Sequence, residues 1–557
     1  MNITRREFLV GAGAGLLTPF LAVSSSEAAT TGPFAIRRFL PSTLAFPISV
    51  ASGDPTPTGV ILWTRLSERI WRADRTLAFQ VSRDPSFRRI VFQGLVDGSV
   101  IGPASDFTVK VDLDGNLQPG GVYYYRFIYN GIASRTGRCR TLPPPGAPIE
   151  KVKFGVVTCQ DYLNGYYGAF AHIAKDSSID FVVHLGDFIY ESGGGSAYPG
   201  RRVDLPSGQS RASTLDDFRT LYRTYRSDPL HQLAMEYHTW IVIWDDHETA
   251  NDCFWDYEND SLGAPNHPFR DDPVRLRQLK FDAQRAWSEY VPARPAFNPL
   301  AAHPHDALSI FRRFQFGNLV DLVMTDERTY RTPHPCGEGG EAGRLFTRDC
   351  DERRSPAASM LGGAQRNWFV DNMTASTALW KVWGNEVFVG ALTVGPAGSN
   401  QIIANVDAWD GFYAERDYIL QTLRNAGLNN LVVLTGDLHT YIASYVKIDY
   451  GDRDNTNPTN VVGVELMTPA VTSSNIAQQI GVRNPPENFL VDAVRGLNPH
   501  IAFFNGQDWG YSTVEFKRTH CEYVAYRVDK SVNTFKARRD VLRRLAVPVN
   551  TVRMVDT

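Results

Sequence analysis

The stretch Val182–Ser192 reads VVHLGDFIYES. Its apolar run is that of a strand covered on both faces, yet it ends in Gly186 and Asp187, and Tyr190 follows three residues later. The same ending recurs along the chain. FGVVTCQ stops at Cys159 and Gln160, and LVVLTGDLHTY at Asp437 with His439 two residues on. WIVIWDDHETAND stops at Asp245, Asp246 and His247, with Asn251 and Asp252 beyond. Ligands of α/β sheets bind outside the carboxyl ends of the strands. One Gly-Asp after a strand is an ordinary turn; four strands ending in donor side chains point to a shared site.

The segments around these endings set the fold class. KFGVVT, DFVVHLGDFIY, TWIVIWDDHE, LVDLVMTDERTY, LWKVWGNEV, NLVVLTGDLHTYIASY and VVGVELMTPAV read as strands. Helical spacing appears in NGYYGAFAHIAKD and in LDDFRTLYRTYRSDPLHQLAMEY, the latter broken near Asp228-Pro229. The alternation predicts an α/β domain. Residues 40–142 differ: GVILWTRL, TLAFQVSR, RIVFQGLV, DFTVKVDL and VYYYRFIY are short runs separated by turn residues. They predict a smaller all-β domain of immunoglobulin or fibronectin-III type, with LQPGGVYYYRF at a corner. Residues 143–150 are proline-rich and predict a linker. The α/β domain then fills 151–557 together with a C-terminal tail. In that tail RRDVLRRLAVPVNTVRMV reads as a short helix or a solvated end, and AFFNGQDWGYSTV as a lid or an apolar mouth. Loops near 192–214 and 330–363 are long enough to be functional.

The chain has 557 residues, 43% of them hydrophobic, and a formal net charge of -3. That supplies a large core and gives no bulk attraction to nucleic acid. TRREFLVGAGAGLLTPFLAVSSSEAAT pairs Arg5 with Arg6 ahead of Phe8 and Leu9, then runs through a glycine-containing apolar stretch to Ser26 and Ala28. Residues 1–29 are therefore expected to be a twin-arginine export signal rather than a spanning helix. The translocation machinery of that route would deliver a folded, soluble chain to the periplasm or the exterior. Six cysteines are too few for a disulfide scaffold. Cys336 and Cys350 flank a Gly-rich segment and are expected to bridge in an oxidising compartment.

Taken singly, the site candidates have plain structural readings. Cys159 would be a buried thiol, Tyr190 a core aromatic with a satisfied hydroxyl, and His439 a turn histidine. His172, His238 and His305 are read as structural. Asp326 and Glu327 also end a strand and could be a further ligand pair; with Arg328 and Arg331 directly after them, a salt-bridged supporting role is the favoured reading.

Four motifs together carry a resemblance. Thr158-Cys159-Gln160, Gly186-Asp187 with Tyr190, Asp245-Asp246-His247-Glu248 with Asn251, and Gly436-Asp437-Leu438-His439 resemble the PhoD family of alkaline phosphatases. ASGDPTPTGVILWTRL, GGAQRNWF and GNEV are similar to further landmarks of that family. The family is a branch of the calcineurin-like metallophosphoesterases, which implies a metallophosphoesterase-type α/β sandwich. Two departures from the larger group stand out: Cys159-Gln160 replaces its Asp-x-His, and Asp437 replaces the first histidine of its Gly-His-x-His. An additional upstream histidine of the larger group has no clear counterpart near VWGNEV. Thiolate and phenolate suit ferric iron, and an oxygen-rich set suits calcium. The resemblance implies that pair, with Cys159, Tyr190 and His439 on the iron, Asp187 bridging, and Asn251 and Asp437 on the calcium. Asp246 is a further ligand candidate, with Asp245 as its alternative.

Two metals can clamp the attacking and leaving oxygens of phosphoryl transfer and activate water. The resemblance places His247 against the transferring phosphate, for charge stabilisation or leaving-group protonation; the alternative is that it orients a neighbouring carboxylate. The implied activity is hydrolysis of phosphate mono- and diesters by a secreted enzyme. A phospholipase D-like diesterase working at a lipid surface is a second reading. A non-catalytic calcium-binding envelope protein is a third, and it gives Cys159 and Tyr190 no reason to align.

Overall fold

The computed structural model describes residues 32–37, 40–337, 344–395, 402–482 and 489–557. The expected export signal, residues 1–29, lies outside them.

Two large mixed sheets organise the chain. The first has ten strands, in the order Val555–Asp556, Arg539–Pro548, His520–Val528, Gly510–Lys517, Lys151–Val157, Phe181–Leu185, Thr239–Ile243, Val50–Thr56, Gly59–Arg65 and Thr108–Asp112. Lys151–Val157, Phe181–Leu185, Thr239–Ile243 and Val50–Thr56 run parallel at its centre. The second has seven, in the order Arg312–Phe316, Val320–Met324, Trp380–Gly384, Leu431–Thr435, Val461–Met467, Tyr441–Lys447 and Ile501–Asn505. Its parallel strands explain their unbroken apolar sequence. Leu322, Val382 and Val432 join one core cluster, shared with Phe154 and Phe516 of the first sheet. The alternate residues Val323, Trp383 and Val433 join another, with Phe369, Ile419 and Leu423 of the helices Gly362–Thr374 and Tyr413–Asn425. Each strand is thus buried on both faces. Aromatic contacts join the two sheets: Phe316 lies 5.1 Å from Phe154 and 5.2 Å from Phe181, centroid to centroid.

The helical stretch breaks where expected, into Leu215–Arg226 and Pro229–Tyr237. Asp228 caps the second helix by accepting from Leu230 N and His231 N, and Pro229 fills its first turn.

The N-terminal strands divide between two sheets. Ile90–Val96, Leu77–Ser82, Val122–Tyr129, Ile132–Ala133 and Gly137–Arg140 form a five-stranded sheet. At its corner the Tyr123 hydroxyl accepts from Gln118 N at 2.8 Å and donates to Gln118 O at 3.1 Å. Val50–Thr56, Gly59–Arg65 and Thr108–Asp112 instead extend the ten-stranded sheet through the parallel pairs Ser52–Thr239 and Gly53–Trp240. The seam is well packed. Trp63 donates to Glu289 O at 2.8 Å, and the Arg226 guanidinium lies 3.5 Å over the Trp63 ring.

One reading of the C-terminal segment is corrected. RRDVLRRLAVP is the strand Arg539–Pro548, not a helix, because pairing with His520–Val528 satisfies its backbone and buries Leu545 and Val547. AFFNGQDWGYSTV supplies Ile501–Asn505 to one sheet and Gly510–Lys517 to the other, the latter directly beside Lys151–Val157, and its connecting residues Gln507, Asp508 and Trp509 line a cavity with Ser474 and Asn475.

Lys110 sits in the seam, 2% exposed, with its ammonium donating to Ala293 O at 3.0 Å. Burial, only partly countered by Asp54 and Glu289, lowers its pKa to about 7. Between that value and the ordinary lysine range the unfolded chain binds the extra proton, so stability rises with pH across the window. Lys110→Met should therefore be more stable than the parent at pH 7, with the advantage vanishing near pH 10. Denaturant midpoints measured across that range check this, and a pH-independent difference would contradict it.

Candidate metal centre

Cys159 follows the strand Lys151–Val157, Asp187 follows Phe181–Leu185, Asp245 to His247 follow Thr239–Ile243, and Asp437 and His439 follow Leu431–Thr435. Three of these strands belong to the ten-stranded sheet and the last to the seven-stranded one. The cluster forms where the carboxyl edges of the two sheets meet. Its backbone is strained in a consistent way: Cys159, Asp187, Asp437 and His439 have φ of 54°, 58°, 62° and 54°. Left-handed conformations of this kind cost of order 1–3 kcal/mol each and gather at functional sites. Gly186 has φ 100°, and a Cβ there would lie 2.4 Å from Asp245 Cβ. Only glycine lets these two strand ends approach.

Ligand atoms of Cys159, Asp187 and His439 lie within 4.8 Å of one another, as do those of Asp187, Asp246 and His247, and those of Asp245, Asp246 and Asp437. Asp187 is common to two groups and so is Asp246. Tyr190 joins the first group: its hydroxyl is 2.7 Å from Asp187 Oδ2 and 3.1 Å from His439 Nε2. His439 Nδ1 lies 2.6 Å from Ser474 O. A carbonyl only accepts, so Nδ1 carries the proton and Nε2 keeps its lone pair for the cluster. Asn251 is half-buried, and its backbone N donates to Glu191 Oε1 at 3.4 Å. Its carboxamide makes no hydrogen bond among the described residues.

The charges are unbalanced. Asp187, Asp245 and Asp246 are buried, the Asp437 side chain is 12% exposed, and the fixed cation among them is Arg328, 0% exposed. Arg328 Nε donates to Asp245 Oδ1, Nη1 to Asp407 Oδ2 at 2.7 Å and Nη2 to Asp437 Oδ1 at 3.1 Å. Burial raises Asp437 to about 6 against the pull of Arg328. Burial also lifts Asp245 well above the carboxylate range, and its Oδ2 has no partner. For Asp246 burial is outweighed by Arg328 and His247, which hold it below that range. Burial, then Asp187, pushes the Cys159 thiol and the Tyr190 phenol up. A cation among these groups would reverse such shifts, and the donor set of thiol, phenol, imidazole and carboxylates fits one.

His247 is held from two sides. Its ring centroid lies 4.0 Å from that of Tyr190 with the planes tilted by 31°, and Nδ1 lies 2.6 Å from Glu191 Oε2. Burial opposes charge on the ring, but Glu191, Asp246 and Asp187 outweigh it and raise its pKa. Glu191 is fixed in turn by Arg211. Glu248 braces the backbone: its carboxylate accepts from Asp187 N at 3.0 Å, Phe188 N at 2.7 Å and Asp245 N at 2.9 Å.

The expected pairing of Asp326 and Glu327 with Arg328 and Arg331 is not found. Asp326 accepts from Trp244 Nε1 at 3.0 Å and from the backbone of Arg328 and Thr329. Glu327 and Glu386 accept from each other's backbone N, at 3.1 and 2.7 Å. Both arginines reach Asp407 instead. Sequence neighbours at a strand end point in different directions, so adjacency did not predict the partner. Asp407 and Glu191 had no sequence signal of their own, whereas Glu248 stood inside the Asp245-to-Glu248 motif. His172 and His238 are structural, each bonded to a backbone carbonyl at 2.8 Å. Cys336 and Cys350 form a disulfide with Cα atoms 5.6 Å apart.

The chain is similar to known proteins over most of its length. The family model for PhoD-like phosphatase matches residues 154–524, and that for its N-terminal domain matches 34–143. Alkaline phosphatase D of Bacillus subtilis (strain 168) is 33% identical over 513 residues, covering 90% of this chain and 80% of that protein. A solved structure described as "Structure of PhoD" superposes with a TM-score of 0.79 at 28% identity, covering 95% of this chain and 93% of that one.

Replacing Glu248 by glutamine sets an amide donor against backbone N–H groups. Glu248→Gln should keep the far-ultraviolet circular dichroism of the parent while metal affinity falls about 10–100-fold, the usual effect of removing a group that orients ligands. Competition with a metal chelator measures this. Unchanged affinity would deny Glu248 its bracing role.

Proposed function

The chain belongs to the PhoD-like phosphatase family, and on that premise we propose that it is an exported, metal-dependent hydrolase of phosphate mono- and diesters. The observation that carries the two-metal reading is Asp187, a single carboxylate shared by two ligand groups. We read the facing sheets as a metallophosphoesterase-type α/β sandwich and residues 40–142 as an immunoglobulin or fibronectin-III-like domain, a reading supported by the Tyr123 corner. Export by the twin-arginine route to the periplasm or exterior rests on residues 1–29; the disulfide between Cys336 and Cys350 is in keeping with an oxidising compartment.

In this reading Cys159, Asp187, Tyr190 and His439 hold ferric iron, and Asp187, Asp246, Asn251 and Asp437 hold calcium. When bound, the two ions supply the positive charge that activates water and stabilises the phosphoryl group in transfer. The chain's own residues do the rest. Cys159 is a ligand and not a nucleophile. Arg328 draws Asp437 and Asp245 toward their ionised forms. Glu191 keeps the proton on His247 Nδ1, and Nε2, bonded to no protein atom among the described residues, is available to donate to a phosphate or leaving-group oxygen. Ring contact with Tyr190 restricts the orientation of that ring.

The lipid-surface alternative draws on AFFNGQDWGYSTV, of which Gln507, Asp508 and Trp509 line a cavity together with Ala477 and Val482. The non-catalytic alternative leaves the placement of Tyr190 between Asp187 and His439 without a purpose.

Purified holoenzyme should absorb visible light through thiolate and phenolate bound to iron, and should contain iron by elemental analysis; colourless, iron-free active protein would refute the iron assignment. Asp187→Ala should lower turnover of a small phosphate ester by more than about 100-fold, beyond the loss typical of a supporting residue. A calcium chelator should reduce activity, with calcium restoring it.

A further inference from the structure

A second concave site lies at the other end of the ten-stranded sheet. Gly59–Arg65 runs antiparallel to Val50–Thr56, which is parallel to Thr239–Ile243. The segment after Arg65 therefore leaves the sheet at the edge opposite to the one from which Asp245 and His247 leave. It carries Arg69, Arg72 and Arg75 at every third position. With Arg37, Thr76 and Asn130 these line a cavity of about 770 Å³.

The backbone beneath the arginines is fixed. Arg72 N donates to the Tyr129 hydroxyl at 2.8 Å, Arg75 N to Arg72 O at 3.1 Å, and Arg37 N to Gly131 O at 2.7 Å. Trp71 Nε1 donates to Gly98 O at 3.3 Å, and a Cβ on Gly98 would lie 1.9 Å from Arg75 O. The guanidinium heads, by contrast, have no counter-ion. Among the described residues none of the four meets a carboxylate, and their only side-chain bond is from Arg72 Nη1 to Trp71 O at 2.7 Å. Glu68 and Asp74 of the same segment do not line the cavity. This is a local excess of positive charge in a chain whose net charge is -3. Arg328 and Arg331 at the metal centre are, unlike these, each matched to aspartate.

Arg37, Arg69, Arg72 and Arg75 are exposed, so solvent screens part of their mutual repulsion, and an anion between them relieves the rest. Guanidinium forks bind phosphate oxygens in pairs, and Thr76 and Asn130 add neutral donors. The row of Arg69, Arg72 and Arg75 offers more forks than one phosphate uses. We propose that this cavity is an exosite for an extended phosphate polyanion, a chain of linked phosphate units held through its charges alone. Its place at the far edge lets it hold such a chain while the metal centre stays open. A lipid surface docked here would instead face away from the metals.

The test is binding of fluorescently labelled long-chain inorganic polyphosphate to the holoenzyme, read by anisotropy. The quadruple variant Arg37→Ala/Arg69→Ala/Arg72→Ala/Arg75→Ala should bind at least about tenfold more weakly at low salt, and the parent's affinity should fall steeply as salt rises. The pairs Arg37→Ala/Arg69→Ala and Arg72→Ala/Arg75→Ala should lie between. Turnover of a small soluble ester should be unchanged in all three, because the metal centre is common to them. Equal polyphosphate affinity in parent and quadruple variant would overturn the proposal. So would arginine-dependent capture of phosphatidylglycerol vesicles without polyphosphate binding, which would assign the cavity to a membrane.

Discussion

Carboxylates crowded into a dry site cannot all stay ionised unless cations stand among them. Asp187, Asp245, Asp246 and Asp407 are buried and Asp437 nearly so, and Arg328, itself fully buried, is ion-paired with Asp245, Asp246, Asp407 and Asp437. That guanidinium is the fixed part of the balance. It bears unequally on a pair of adjacent aspartates: Asp245 accepts directly from its Nε, while Asp246 lies 3.9 Å from its Nη2, stands in two ligand groups and is held below the usual carboxylate range. The balance is left incomplete on the side of Cys159 and Tyr190, where burial and Asp187 hold thiol and phenol protonated. A site built this way is a receptor for positive charge.

The strain and the supports follow from that need. Left-handed backbone at Cys159, Asp187, Asp437 and His439 turns side chains inward from strand ends that would otherwise run on into solvent. Such strain persists where surroundings over-determine it. Glu248 does so for the two neighbouring strand ends with three backbone bonds. Ser474 does so for His439, and Glu191 for His247. Each support is itself buried or braced, so the geometry is set before any ligand arrives.

The sheets place these groups from a distance. Residues of the ten-stranded sheet supply Cys159, Asp187 and the Asp245-to-Glu248 turn, and the seven-stranded sheet supplies Arg328, Asp437 and His439. The aromatic contacts of Phe316 with Phe154 and Phe181 help fix one sheet against the other. The N-terminal strands and the last four strands of the chain lengthen the first sheet on its two sides, which places the site-bearing strands in its interior, away from frayed edges.

Much of this was legible in the sequence because it is local. Continuous apolar runs mark strands buried on both faces, Asp228-Pro229 marks a helix start, and donors after strands mark the edge where a site forms. Cys159, Asp187, Tyr190, Asp246, Asp437 and His439 could be gathered on that ground, and Gly186 announced the turn. What the sequence left open depends on direction and on partners far away. That Asp245 accepts directly from Arg328 while Asp246 lies 3.9 Å from it depends on a residue more than eighty positions away. The pairing of Asp326 and Glu327 was misjudged because adjacency along a chain does not set where side chains point. RRDVLRRLAVP became a strand because His520–Val528 offers it an edge, which its own spacing does not encode. Glu191, Asp407 and the cavity of Arg37, Arg69, Arg72 and Arg75 emerge only when segments distant in sequence converge. Periodicity and residue type fixed the strands and the kinds of donor; long-range packing alone decided which charges meet.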